Sequence, residues 1–299
     1  MIRGKGFHRS LGVLLVLGAF LLTSMAWAHS PAEPDARKTG ILLVAFGTSD
    51  PDAKVSFEKI DQLTRATHPD IPVRWAYTSH LIRHKLDPAG NTLLSPLQAL
   101  AKMADEGFTD VAVQSLHTIP GKEFEGLAAA AHSMEGIPGG LRRVSIGLPL
   151  LAHSQDLEAA ADAMIASLPR QCSKDDAVVL LGHGTHHPAD VYYAAMQHVF
   201  TMKSGRILLG TVEGAIDFEQ VLKQLQPLKP RRVFLLPFMS VAGDHAKNDM
   251  AGEEDDSWAS MLRGKGFEVV PVLHGTAEYP AVARLWLEHL QAALENLNH

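Results

Sequence analysis

Cysteine is nearly absent from this chain: Cys172 is the only one in 299 residues. A single cysteine cannot close an intrachain disulfide in any redox compartment. It also excludes zinc ribbons and iron–sulfur clusters, which need several thiolates. Any bound metal must therefore rest on imidazole and carboxylate. Positive charge is the second shortage. Lys and Arg number 27 against 33 Asp and Glu, and no basic stripe is visible, which argues against nucleic acid as a partner. The glycine-rich "GHGTHH" (182–187) lacks the Lys-Ser/Thr ending of a phosphate loop, and no G-x-S-x-G nucleophile elbow occurs. The acidic run "EEDD" (253–256) lacks the alternating oxygen ligands and central glycine of a calcium loop. With no nucleotide site in the sequence, any chemistry is expected to run without ATP.

Long apolar runs are also scarce, and the one at the N-terminus has a specific reading. "MIRGKGFHRS" carries Arg3, Lys5 and Arg9, "LGVLLVLGAFLLTSM" is uncharged, and "AWA" ends at Ala28. A basic start, a short apolar core and small residues at the cleavage spacing define a secretory signal peptide. The segment 1–28 is expected to be removed, giving an exported, periplasmic protein that starts near His29. Without Arg3, Lys5 and Arg9 the chain holds 24 basic residues against 33 acidic, a net charge of −9.

The remaining chain, roughly 270 residues, suffices for one large domain or two moderate ones. Its apolar runs are short and separated by amphipathic stretches. "ILLVAF" (41–46), "VRWAY" (73–77), "VAVQSL" (111–116), "VVLL" (178–181), "RILLGTV" (206–212), "VFLLPF" (233–238) and "FEVVPVL" (267–273) read as strands. "SPLQALAKMADEG" offers Ser95 as N-cap, Pro96 at the first helical position and Gly107 as a stop. Near-continuous apolar strands alternating with helices imply an α/β fold with parallel sheets. The halves also echo each other. "ILLVAFGTS" (41–49) lies over "VVLLGHGTH" (178–186), and "VAVQSLHTIPG" (111–121) over "VFLLPFMSVAG" (233–243). The pattern implies an internally duplicated unit, with an N-terminal lobe over 40–150 and a C-terminal lobe over 151–299. In such folds ligands sit beyond the carboxyl ends of the strands, here a cleft between lobes.

The overlay fails where chemistry is concentrated. His183 falls on Phe46 and His245 on Glu123, so the cleft is expected to be lopsided. His183, Glu213 and His245 each follow a different predicted strand of the second half. Two imidazoles and a carboxylate suit a divalent first-row ion such as Co²⁺, Ni²⁺, Fe²⁺ or Zn²⁺, with binding that weakens in acid. His186 and His187 read as solvated loop residues. His117 follows a strand of the first half and either lines the cleft, as a substrate-binding residue, or merely caps it.

The segments "AFGTS", "SPLQALAKMADEGFTDVAVQSLH", "GHGTHH", "VEG" and above all "VAGDHAKNDMAGEEDDSW" resemble the anaerobic cobalt chelatases of cobalamin biosynthesis, within the class II chelatase group. The resemblance runs from about Ile41 to the C-terminal helix. It implies two Rossmann-like lobes around a tetrapyrrole cleft, and insertion of Co²⁺ into sirohydrochlorin. Fe²⁺ insertion and a non-catalytic exported tetrapyrrole or metal carrier are the alternatives. It assigns His183 as metal ligand and proton acceptor, with Glu213 and His245 completing the site. The exported leader departs from the family, whose members are mostly cytoplasmic. Sirohydrochlorin is rich in carboxylates, so an acidic chain needs local cations, and Arg74, Arg83 and Lys85 are the candidates. Finally, "EFEGLAAAAHSMEG" carries Ala128 to Ala131 before His132. Small residues permit close helix approach, so a homo-oligomer is expected. On a two-fold axis paired His132 side chains would ligate haem or a metal between subunits.

Overall fold

The computed structural model describes residue 1 and residues 37–299 apart from residue 91; the expected signal peptide lies outside the described residues. Two four-stranded parallel sheets form the frame. The first contains β1 (Thr39–Ala45), β2 (Val73–Tyr77), β3 (Asp110–Ser115) and β4 (Arg143–Gly147), in the order β2-β1-β3-β4. The second contains β5 (Ala177–Gly182), β6 (Ile207–Thr211), β7 (Val233–Pro237) and β8 (Val269–Pro271), in the order β6-β5-β7-β8. The two orders correspond strand for strand, with β1 and β5 at equivalent interior positions. The duplication in the sequence is thus a duplication of topology. The sequence pattern missed β4, because "RVSIG" is only partly apolar and lies at a sheet edge.

Helices α1 (Lys54–Thr67), α2 (His80–Leu86), α3 (Pro96–Asp105) and α4 (Lys122–Ser133) connect the first sheet. Then come α5 (Ser154–Ala166), α6 (Val191–Lys203), α7 (Phe218–Leu225), α8 (Trp258–Gly264) and α9 (Pro280–Asn296). The start of α3 follows from its sequence. Ser95 accepts from the Gln98 backbone, the Gln98 side chain answers to the Ser95 N–H, and Pro96 occupies the first turn. Such a reciprocal cap satisfies two donors that every helix start leaves open.

Strand alternation decides which core each side chain joins. In β1, Leu42 and Val44 enter an outer core with Leu100 and Met103 of α3 and Leu127 of α4. Ile41, Leu43 and Ala45 enter an inner core continuous with the second sheet through Val179, Leu181 and Phe234. The last helix closes that core. α9 packs on β3 and β4 and against α5, although it follows the second sheet in sequence. Its Trp286 is fully buried and donates its indole N–H to the His117 carbonyl at 3.3 Å. The two sheets therefore share one apolar interior. Among the described residues no helix is long and apolar enough to cross a membrane.

Candidate metal centre

Immediately after β5 the chain makes a tight turn at Gly184, with φ +77°. The equivalent turn after β1 uses Gly47, with φ +110°. Below the turn, Tyr193 of α6 is buried and its phenol ring packs against Gly182. Burial pushes that phenol well above its ordinary range, so it stays protonated and serves as a prop. Asp190 ties neighbouring loops together, its carboxylate accepting from Thr185 N–H at 3.0 Å and Ala215 N–H at 2.8 Å. The Glu213 backbone N–H donates to the His183 carbonyl at 2.8 Å.

This frame presents His183 to His245. Their Nε2 atoms are 3.1 Å apart and the rings meet edge-on at 88°. The other nitrogens fix the tautomers. His183 Nδ1 lies 2.9 Å from the Gly184 carbonyl oxygen, and His245 Nδ1 faces the Asp249 carboxylate at 2.5 Å. Both partners only accept, so each Nδ1 carries the hydrogen and each Nε2 is left with a lone pair. Two lone pairs pointed at each other repel unless a cation lies between them. Donors bound to one ion at about 2.0–2.1 Å, with angles of about 90–109°, sit roughly 2.9–3.3 Å apart. The observed 3.1 Å is chelating distance. The pair is arranged for a metal ion or a shared proton, and Asp249 orients His245 as carboxylates commonly orient metal-bound histidines.

The remaining residues proposed from sequence fall in several places. Glu213 is at the rim with an exposed side chain. Among the described residues no three His, Cys, Asp or Glu side chains gather into a metal-sized group, so its carboxylate stands apart from the imidazole pair. Lys85 reaches toward the loop that precedes His245, with Nζ 3.3 Å from Ser49 Oγ, and Ser49 in turn donates to Asp244 at 3.1 Å. Arg83 lines a small cavity with His80, His84 and Asp87, and its Nε is buried without a hydrogen bond. Arg74 is turned elsewhere. It is the second residue of β2, remote from the carboxyl end, pairs with Glu106 at 2.9 Å and lies over Phe108. His132 is exposed in the last turn of α4, and Ala131 before it is buried in the outer core.

His187 has two jobs that its loop context concealed. Its Nδ1 accepts from the Ala189 N–H at 3.2 Å, capping the short turn Pro188–Asp190, and its Nε2 lies 3.2 Å from Glu125 of α4. His186 is exposed. Sequence reasoning also missed Asp249. The signal was the i, i+4 spacing from His245, which becomes readable only once residues 245–249 are known to form a helical turn.

His117 is enclosed just beyond β3, with Nδ1 2.8 Å from Ser115 Oγ and Nε2 3.4 Å from Thr78 Oγ1. Burial lowers its pKa to about 4, so the folded protein holds a neutral imidazole there. The unfolded chain takes up this proton near 6.5 and the folded protein only near 4. His117 therefore costs nothing above about pH 6.5, and stability drains away as pH falls from there toward 4. Urea unfolding at pH 7.5, 6 and 5 is expected to show a steeper acid loss in the wild type than in His117→Gln. Identical slopes would refute it.

A divalent-metal chelatase with two α/β lobes and a two-imidazole centre is the class this fold and site define. The family model for the cobalt chelatase CbiK matches residues 39–295, and the chain belongs to that family. Sirohydrochlorin cobaltochelatase CbiKC of Nitratidesulfovibrio vulgaris is 41% identical over 261 residues, covering 87% of this chain and 92% of that protein. The sirohydrochlorin cobaltochelatase of Salmonella typhimurium is 35% identical over 261 residues, covering 86% and 97%. Among solved structures, SirB from Bacillus subtilis with Fe³⁺ aligns over 87% of this chain and 96% of its own, with TM-score 0.56 and 15% identity. That likeness extends the fold beyond recognisable sequence.

Proposed function

We propose that this protein inserts Co²⁺ into sirohydrochlorin, without ATP, in the cleft above the His183–His245 pair. The observation that carries the reading is the two facing Nε2 lone pairs 3.1 Å apart, in a chain 41% identical to a sirohydrochlorin cobaltochelatase. Insertion exchanges two pyrrole N–H protons for one dication, so charge balances and nothing is oxidised. Two protein ligands hold the incoming ion loosely enough for the macrocycle nitrogens to take it over. As the ion leaves, each Nε2 lone pair is free to accept a proton from the ring. His245 keeps its orientation because Asp249 accepts its Nδ1–H. The exposed Glu213 carboxylate at the rim offsets the ion's charge on entry, while Lys85 and Arg83 meet the acidic side chains of the substrate.

The test is an anaerobic assay of the purified protein with sirohydrochlorin and Co²⁺, followed by absorbance, with Fe²⁺ in a parallel arm. Faster insertion of Fe²⁺ would make iron the working metal, and binding without turnover would make the protein a carrier. Glu213→Gln keeps the shape and removes the charge. It is expected to weaken Co²⁺ binding by roughly three- to tenfold, a surface charge effect of about 0.6–1.4 kcal/mol, with the melting temperature unchanged. Equal affinities by titration calorimetry would remove Glu213 from the metal's path.

The same reading includes export and self-association. The leader composition supports a mature N-terminus near His29, which cell fractionation and mass spectrometry check; a retained 1–28 segment contradicts it. Light scattering checks the homo-oligomer. Haem absorbance that is lost in His132→Ala would support the bridging role of that residue, and absorbance that survives would end it.

A further inference from the structure

The residues that hold His245 in place are not all in its own lobe. His245 caps a π-helical turn, Ala246–Met250, that contains Asp249 and in which the Ala251 N–H reaches back to the Ala246 carbonyl at 3.2 Å. A π turn is rare, and such turns recur at functional sites. Ala246 and Met250 seat the turn in the core, and a further contact leaves it for the other lobe. Lys247, its second residue, extends to the first lobe. Its Nζ lies 2.7 Å from Asp50 Oδ2 and 2.8 Å from Asp52 Oδ2, both in the loop between β1 and α1.

Asp50 is a rigid anchor. Its side chain is 5% exposed, its Oδ1 accepts from the Asp52 N–H at 2.9 Å, and its own N–H donates to Thr48 Oγ1 at 3.1 Å. Burial alone would raise its pKa, but the Lys247 hydrogen bond and the loop N–H groups outweigh that and hold it below the usual carboxylate value. Two neighbouring contacts run the same way. Ser49 donates to Asp244, and Gly243 approaches so closely that an added Cβ would lie 3.0 Å from Thr48 Oγ1. Residues 243–247 are thus seated along residues 48–52, the stretch corresponding by duplication to the His183 loop.

We infer that Lys247 is a positioning residue for metal insertion: by clamping the π turn to Asp50 and Asp52 of the opposite lobe, it holds the His245–Asp249 pair at chelating distance from His183. The first lobe, which supplies no imidazole to the pair, supplies its alignment. Solvent-exposed lysine pairs contribute little to stability, but this one spans a buried carboxylate and two lobes. Its effect should appear in the metal site before it appears in the fold.

The inference rests on the reaction proposed above, so the test reads the metal site and turnover separately. Co²⁺ is titrated into the full chain without tetrapyrrole and its visible absorption recorded; kcat and KM are then measured with sirohydrochlorin. Lys247→Ala is expected to shift the Co²⁺ spectrum and to lower kcat by about ten- to a hundredfold, the usual range for residues that orient metal ligands. KM should stay within about twofold, since the substrate is not touched. Lys247→Arg, which still spans to Asp50, should restore most of the loss. Because Lys247→Ala leaves a buried carboxylate unpaired, the double variant with Asp50→Asn is measured beside it and should show the same kcat and spectral change with a near-native melting temperature. A wild-type Co²⁺ spectrum and kcat in the double variant would overturn the clamp. Failure of the wild type to metallate sirohydrochlorin counts instead against the assigned reaction, and the Co²⁺ spectra of the bare protein still decide the role of Lys247.

Discussion

His183→Ala and His245→Ala are each expected to lower cobalt insertion at least about a hundredfold, the low end of what a positioned acid–base group contributes, while the fold survives. The size follows from the geometry. Each variant deletes one of two Nε2 donors that sit 3.1 Å apart and leaves a single imidazole, which cannot chelate. Co²⁺ affinity should fall with turnover, because ligand and proton acceptor are the same nitrogen. Stability should change by no more than about 1 kcal/mol, since both side chains are only partly buried. His186→Ala is the control from the same histidine-rich stretch. Its side chain is exposed, and wild-type kinetics are expected. Full activity in either alanine variant, or an equal loss in His186→Ala, would sink the assignment of the pair.

Much of this was legible in the sequence, for reasons that can be located. The parallel sheets were readable because β5 and β7 are buried at every position and so appear as unbroken apolar runs. The duplication was readable because both central strands end in a Gly-Thr turn whose glycine needs a positive φ. His183 and His245 were readable as residues following strands, and their family assignment followed from the "VAGDHAKNDMA" block. Other features were hidden because they depend on distance across the fold. The amphipathic pattern of α9 shows that one face is buried, but not that the buried face meets β3 and β4. Asp249 and Lys247 looked like ordinary polar residues until the π turn placed one on His245 and the other on Asp50. Arg74 shares strand β2 with the rim, yet it sits at the amino end with Glu106 as partner; a basic residue in the right strand can still face the wrong end.

The second large effect concerns a residue with no side chain. Gly184→Ala is expected to abolish activity and to cost about 2–6 kcal/mol of stability, summing backbone strain with overpacking. Two independent constraints meet at this position. Its φ of +77° places a Cβ in the left-handed region, which only glycine occupies freely. That Cβ would also collide with the backbone N and Cα of Gly214 and lie 2.8 Å from Thr211 Cβ. Backbone atoms cannot rotate away, and Gly214 is itself packed against Asp190, whose carboxylate ties the Thr185 and Ala215 loops together. Relief must therefore come from moving the 183–185 segment, which carries His183 and the carbonyl that fixes its tautomer. A shift near 1 Å separates the two Nε2 atoms beyond chelating distance, and misplacement on that scale alone costs about a hundredfold in rate. Gly47→Ala is the informative comparison. It has the same kind of turn in the first lobe, with φ +110°, but its nearest neighbour is the Ile82 side chain at 3.1 Å, which can yield. Gly47→Ala should lose stability through strain while retaining Co²⁺ binding, whereas Gly184→Ala should lose both. Urea unfolding and Co²⁺ titration on the two variants provide the measurement, and native Co²⁺ affinity in Gly184→Ala would show that the turn does not set the position of His183.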